Sequence, residues 1–446
     1  MLKGIFMFKK VFPLSAIIGL RFLSLFLVLP VISVYAIEIQ GDDFNPLYVG
    51  IVVGGYALTQ ALFQLPFGIL SDKIGRKITI TLGLIIAIAG SIVAAEAETI
   101  EMLMFGRFLQ GAGAVGSVIT AMIGDLVAEE VRGKAMAIMG GTIGMAFALS
   151  MILGPVIGGL DNGTKILFWI TAFLSIFSII LLYTKVPTPP RIKHTYHGTT
   201  STVGILKDPQ LVGLFFANFL QKGMMIAAFV LIPRILKQEF GWTVDELWEV
   251  YLPAIVIGLV MMGPAAVFGE KYNKPKLIFI ISIAFFIAAF TSMGFATGQA
   301  LFIAGAIFFF IAFNLMEPLL QSMITKFAKV HQKGAALGWG NTFGYTGSFL
   351  GGITAGYLLL DRESLGIVIG SIAGVWFLWT LIIMRNPTKM SYLYLPLEEL
   401  DNAKAEALIH DALVEWHINE TEFMAVFKFK AADITLAEFK MLVIKD

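Results

Sequence analysis

The chain has 446 residues, of which 57% are hydrophobic and only 14% charged; a soluble domain carries about a quarter charged residues. The formal net charge of +1 argues against a nucleic-acid partner. The absence of cysteine excludes disulfides, thiolate zinc sites and a cysteine nucleophile. Of the five histidines only His194 and His197 lie close together, in a polar stretch without further ligands, so no metal site is expected.

A bilayer core takes about 20 apolar residues per helix. On that measure the chain predicts twelve spans: 11–37, 48–70, 76–95, 100–127, 134–160, 164–184, 210–236, 247–269, 276–296, 300–327, 333–359 and 363–385. The apolar run from Val11 is too long for a signal-peptide core and reads as the first span. Connections are short except between Lys185 and Asp208. That stretch holds Pro187, Pro189, Pro190 and a Gly-Thr-Thr-Ser-Thr run, so residues 185–209 read as a linker between six-helix bundles at 1–184 and 210–389. With the N-terminus inside, the inner segments up to Lys389 carry 20 Lys and Arg and the outer ones 4. This bias predicts that both ends are cytoplasmic.

Between spans 2 and 3 lies Gly68-Ile69-Leu70-Ser71-Asp72-Lys73-Ile74-Gly75-Arg76-Lys77. Asp72 falls near the end of a helix, three cations hold the loop inside, and Gly75 suits a turn at positive φ. The string resembles the signature loop of the major facilitator superfamily. Pro264 to Lys274, between spans 8 and 9, aligns on Pro66 to Arg76 without gaps, with Asn273 in place of Gly75. A repeated pair of bundles is the architecture of that superfamily. The resemblance implies an all-α membrane fold of twelve transmembrane helices in two pseudo-repeated six-helix bundles. It also implies that Asp72 meets the start of span 11 near Gly334 and that Arg76 pairs with Asp125. Both contacts would lock the cytoplasmic side in the outward-open state and break when that side opens.

Span 5 contains Gly141, Ser150 and Gly154-Pro155-Val156-Ile157-Gly158-Gly159. It resembles the antiporter motif of proton-coupled drug exporters, with Ser150 in place of a glycine. Small residues there let helices approach closely, which by itself would also serve packing alone. Span 4 holds Gly106-Arg107-Phe108-Leu109-Gln110-Gly111, similar to a superfamily motif whose buried arginine is implicated in proton coupling. Arg107 needs a wet cavity or a partner, unless it snorkels to the outer headgroups. Arg21, Lys222 and Glu317 also fall deep within spans and are candidates for the proton or substrate pathway. Glu317 precedes Pro318, which should weaken its helix, and its alternatives are a proton carrier, a helix cap or a permanent ion-pair partner.

Beyond Pro387 the chain reads as soluble, with a strand at 392–395, a helix at 397–409, a hairpin from 413–418 to 422–429 across Asn419-Glu420, and a helix from about 434. This βαββα order suggests a small α+β ferredoxin-like cytoplasmic domain at 390–446. A twelve-span facilitator with such a tail resembles the YajR subgroup of proton-driven drug exporters. The expectation is therefore a monomeric multi-pass transporter of the inner membrane, exporting small hydrophobic or amphipathic compounds. A proton gradient would be its coupling ion, with no other cofactor. A nutrient symporter and a membrane sensor with the tail as output are the rivals. No phosphate-binding loop, nucleophile–base set or metal cluster supports an enzyme.

Overall fold

The computed structural model describes residues 2–127, 131–188, 203–329, 332–388, 390–406, 408, 410–419 and 423–445. The first half comprises α1 Leu2–Phe26, α2 Ile32–Glu38, α3 Pro46–Ile74, α4 Arg76–Ala95, α5 Ile100–Ala112, α6 Gly116–Leu126, α7 Arg132–Gly158 and α8 Gly163–Lys185. The second comprises α9 Pro209–Gln238, α10 Trp248–Ala266, α11 Pro275–Gly294, α12 Gln299–Phe327, α13 Lys333–Tyr357 and α14 Arg362–Ile382. Ten helical segments among the described residues are long and apolar enough to cross a bilayer. The remaining crossings are α1, with a shorter apolar stretch at Val11–Phe26, and α13, whose Gly, Thr and Asn content lowers its hydropathy.

Local chemistry sets several helix starts. Asn45 accepts from the Leu47 amide ahead of Pro46, and Asp208 accepts from Gln210 and Leu211 ahead of Pro209. Thr99 and Asp361 cap α5 and α14 in the same way. These side chains satisfy amides that no preceding helical turn can bond.

Two expected spans are broken. Span 1 divides at Leu27–Val31, where Pro30 cannot donate and tight turns such as Leu29 to Phe26 replace the helical ladder. Span 4 divides at Gly113-Ala114-Val115, where the amides of Ala114 and Val115 bond carbonyls only two residues back. A side chain at Gly113 would run into the Gly83 carbonyl of α4. Pro318, by contrast, leaves α12 continuous. Span 2 also runs further than expected, and Asp72 sits on the last turn of α3, near the helix end as expected. Gly75 then turns the chain at φ 102°, and Asn273 does so at φ 53° in the repeat.

The tail forms β1 Met390–Pro396, α15 Asn402–Glu406, β2 Leu413–Asn419, β3 Met424–Lys430 and α16 Leu436–Val443. The antiparallel sheet has the order β1-β3-β2. Its core is Leu393, Leu395, Phe427, Phe429, Phe439 and Val443. The helix expected at 397–409 is only Asn402–Glu406, because Leu397 bonds the Phe423 carbonyl and Leu400 bridges Ile444. The unit is α+β in the expected order, with that single bridge where a fourth strand would stand. Glu420 of the expected hairpin turn, residues 407 and 409 of the expected helix, and most of the linker lie outside the described residues.

Candidate functional site

The two halves meet along α3 and α13. Gly50 faces Gly352, and Gly356 faces both Pro46 and Gly50, so closely that a methyl at Gly50 would overlap the Gly352 carbonyl. Lys237 of α9 pairs with Glu38 of α2 at the same end, and Gly159 packs on Asp245. An aromatic plug lies deeper. Phe147 of α7 contacts Phe26, Phe229, Phe310 and Phe313, with centroids 5.1 to 6.2 Å apart.

The signature-loop end is different. Asp72 is 66% exposed, and Gly133, Gly141, Gly334 and Gly338 face open space. The first half keeps a separate core there, built from Leu14, Phe67, Ile80, Ile119 and Met122. The bundle is closed at the end away from the signature loop and splayed at the loop itself.

At the loop, Arg76 is held three ways. It donates to Asp125 at 2.9 Å and to the Ser71 hydroxyl at 2.5 Å, and it pairs with Asp72 at 2.6 Å. Lys77 donates to the Val186 carbonyl, Lys73 is exposed, and Gly68 has nothing beside it. Asp72 therefore contacts Arg76, the first residue of α4, rather than the start of α13. The Arg76–Asp125 pair persists while this end is open, so it is not one of the contacts that break on opening.

The antiporter-motif residues lie along α7. Gly154 packs on the Leu27 carbonyl and Gly158 on Val31, which seats α7 against the break in span 1. Pro155 is accommodated without ending the helix, and the buried Ser150 donates to the Phe147 carbonyl just below the plug. Gly141 faces the open end.

The intramembrane charges fall into two groups. Lys222 donates to both carboxylate oxygens of Glu317 at 2.9 and 2.8 Å and lies 4.8 Å over the Phe313 ring. At 1.5 Å per residue, Lys222 lies about 20 Å along α9 from Pro209, and Glu317 about 15 Å from the end of α12, both near mid-membrane. Their side chains are 21% and 35% exposed, although α9 is buried almost throughout, so they face the space between the halves.

The second group is buried. Arg21 donates to the Gln110 carbonyl at 2.6 Å and the Gly113 carbonyl at 3.3 Å, acceptors at the end of α5 where span 4 breaks. Arg107 donates to the Val52 carbonyl and to Gln110 Oε1, and lies 4.8 Å over the Tyr56 ring. Being fully buried, it does not snorkel. Gln60 of α3 donates to the Tyr345 hydroxyl of α13 at 3.0 Å, which links the halves. Tyr345 stands within electrostatic range of both Arg21 and Glu317. Gln60, Tyr56, Tyr345 and Phe147 were not singled out from sequence. Polar side chains at 60 and 345, inside otherwise apolar spans, are the signal that could have found the first and third.

The model of the Major Facilitator Superfamily matches residues 14–352 and 214–399. The chain belongs to the major facilitator superfamily. This multi-pass membrane transporter is 35% identical to the inner membrane transport protein YajR of Escherichia coli over 393 residues, covering 86% of this chain and 85% of that protein. It is 28% identical to the quinolone resistance protein NorA of Staphylococcus aureus, covering 78% of this chain and 90% of NorA. Among solved structures, a D-xylose-proton symporter matches with TM-score 0.69 at 14% identity, covering 84% of this chain and 98% of its own. The human organic anion transporter MFSD10 matches with TM-score 0.61 at 17% identity, covering 84% and 99%. At those identities the structures share the fold and nothing more is carried over. A transporter of this family is not an enzyme.

The tail domain is tied to the transporter body. Lys428 of β3, 2% exposed, donates to the Lys326 and Ala328 carbonyls at the end of α12. Lys333, which opens α13, donates to the Tyr392 hydroxyl of β1 and lies over its ring. The sheet thus grips both sides of the α12–α13 connection. Burial, with Lys333 adding to it, lowers the Lys428 ammonium from 10.5 to about 8, and Glu415 opposes the shift.

Proposed function

We propose that this transporter is a proton-coupled exporter of small amphipathic compounds, acting as a monomer by alternating access. The observation that carries the reading is the Lys222–Glu317 ion pair, held near mid-membrane and facing the gap between the halves. A carboxylate in that position is a functional candidate by default. A proton arriving at Glu317 removes its charge and leaves the Lys222 ammonium without a partner, while a substrate entering the gap competes for the same pair. Either event changes what holds α9 to α12.

The excess of Lys and Arg around the signature loop supports a cytoplasmic position for that loop and for both termini, in an inner membrane as for YajR. The splayed end is then the cytoplasmic one, and the conformation is the one that loads from inside. The antiporter-type glycines of α7 and the likeness to NorA favour export over uptake.

The test is a screen of anionic, neutral and cationic amphipathic compounds in proteoliposomes with an imposed pH gradient. A gradient-driven flux is expected in the wild type. Glu317→Gln should bind the same compound but lose the dependence of flux on the gradient. A wild-type pH profile in that variant would place the proton elsewhere.

A further inference from the structure

The centre of the transporter is electrically unbalanced. Arg21, Arg107 and Lys222 bring three cations, and Glu317, already held by Lys222, brings one acid. Among the described residues no carboxylate forms an ion pair with Arg21 or Arg107, which are 4% and 0% exposed. Arg21 Nε and Arg107 Nη2 are buried donors without an acceptor. The end of α5 presents carbonyls worth about half a negative charge, and Tyr56 offers its ring to Arg107. Together these offset part of one charge and leave most of two. An uncompensated cation inside a membrane protein is costly and calls for a counter-charge.

We infer that the central cavity binds an aromatic organic anion, its carboxylate or sulfonate neutralising Arg21 and its ring lying against the Phe147–Phe313 plug. The assignment rests on the cavity between the halves being the substrate path. Arg21 is the anchor because its Nε is a buried donor without an acceptor, while its Nη2 is held by the carbonyls where span 4 breaks. Arg107 lies behind it, sharing Gln110. Phe313 joins the two ends of the site, with Lys222 over its face and Phe147 5.7 Å away. A guanidinium offers two parallel donors to a planar carboxylate, which an ammonium does not.

The experiment uses three probes with one ring system: naphthalene-1-sulfonate, 1-naphthylmethanol and 1-naphthylmethylammonium. Each is titrated into the purified full chain in nanodiscs, with affinity read by calorimetry. The anion should bind at least tenfold more tightly than the other two. Arg21→Gln should lose at least tenfold in affinity for the sulfonate and keep its affinity for the neutral probe, and Arg21→Lys should fall between. Preference for the cationic probe, or no binding of the sulfonate to the wild type, overturns the assignment. So does unchanged sulfonate affinity in Arg21→Gln. The charge preference of the wild type needs no variant, so a folding defect in Arg21→Gln leaves the inference open to refutation. Gradient-driven flux that depends on Glu317 is a separate readout, so the anion site and the transport reading fail independently.

Discussion

Asp72 and Arg76 show how one turn of chain is used in two ways. Arg76 is engaged by Asp125, Ser71 and Asp72, so it fastens α4 to α6 within the first half. Asp72, two-thirds exposed, is free to reach another element when the splayed end closes. The start of α13 at Gly334 is open, and a helix N-terminus attracts a carboxylate. Asp72→Asn should lose most transport while keeping expression and thermal stability near wild type. Asp125→Asn, which strips a partner from a part-buried arginine, should instead lower stability, by about 1–3 kcal/mol. Equal transport rates in wild type and Asp72→Asn would remove the latch. The turn itself was readable from sequence, because positive φ at Gly75 and Asn273 follows from residue type. The Asp72–Arg76 pairing was not, since it depends on α3 running on to Ile74.

At the scale of elements, hydropathy located the helices and missed the breaks. An apolar window is blind to the turns at Leu27–Val31 and Gly113–Val115, because their residues are as apolar as their neighbours. Both breaks matter here: one receives Gly154 and Gly158, and the other supplies the carbonyls that hold Arg21. The seam of α3 on α13 depends on missing side chains. Gly50→Val should overpack it by about 1–3 kcal/mol and push the closed end apart. A thermal unfolding midpoint unchanged from wild type would show that the seam is looser than it looks.

The tail's grip on the α12–α13 connection should respond to pH. Docked, Lys428 holds its proton more weakly than in water, so docking releases a proton and strengthens as pH rises through about 8. Above about 10.5 the lysine is neutral in both states and the gain levels off; below 8 it is charged in both, and docking is weakest and constant. Besides Lys333 and Glu415, Tyr392 faces Lys428 across the sheet. Fluorescence transfer between labels at Met441 on the tail and Lys271 on the body should rise between pH 7 and 9 in wild type. In Lys428→Met it should be flat. An identical pH response in both would assign the effect to another group.

For the whole molecule, the signature loop and its repeat were enough to read the fold from sequence, because a membrane leaves few ways to satisfy the backbone. The polar centre was only half legible. Arg21, Arg107, Lys222 and Glu317 stand out as charges in apolar runs, but which pair forms is decided by helix placement far apart in sequence. The central claim is that the seam at one end and the splay at the other exchange. Its most direct test is a pair of spin-label distances, using the chain's lack of cysteine. One pair, at Ile69 and Gly338, spans the splayed end; the other, at Asp42 and Asp361, spans the closed end. In Glu317→Gln, which carries no charge at that position, the first distance should be shorter and the second longer than in the wild type. Distances equal in the two proteins, or that differ in the same direction at both ends, would contradict alternating access driven from Glu317.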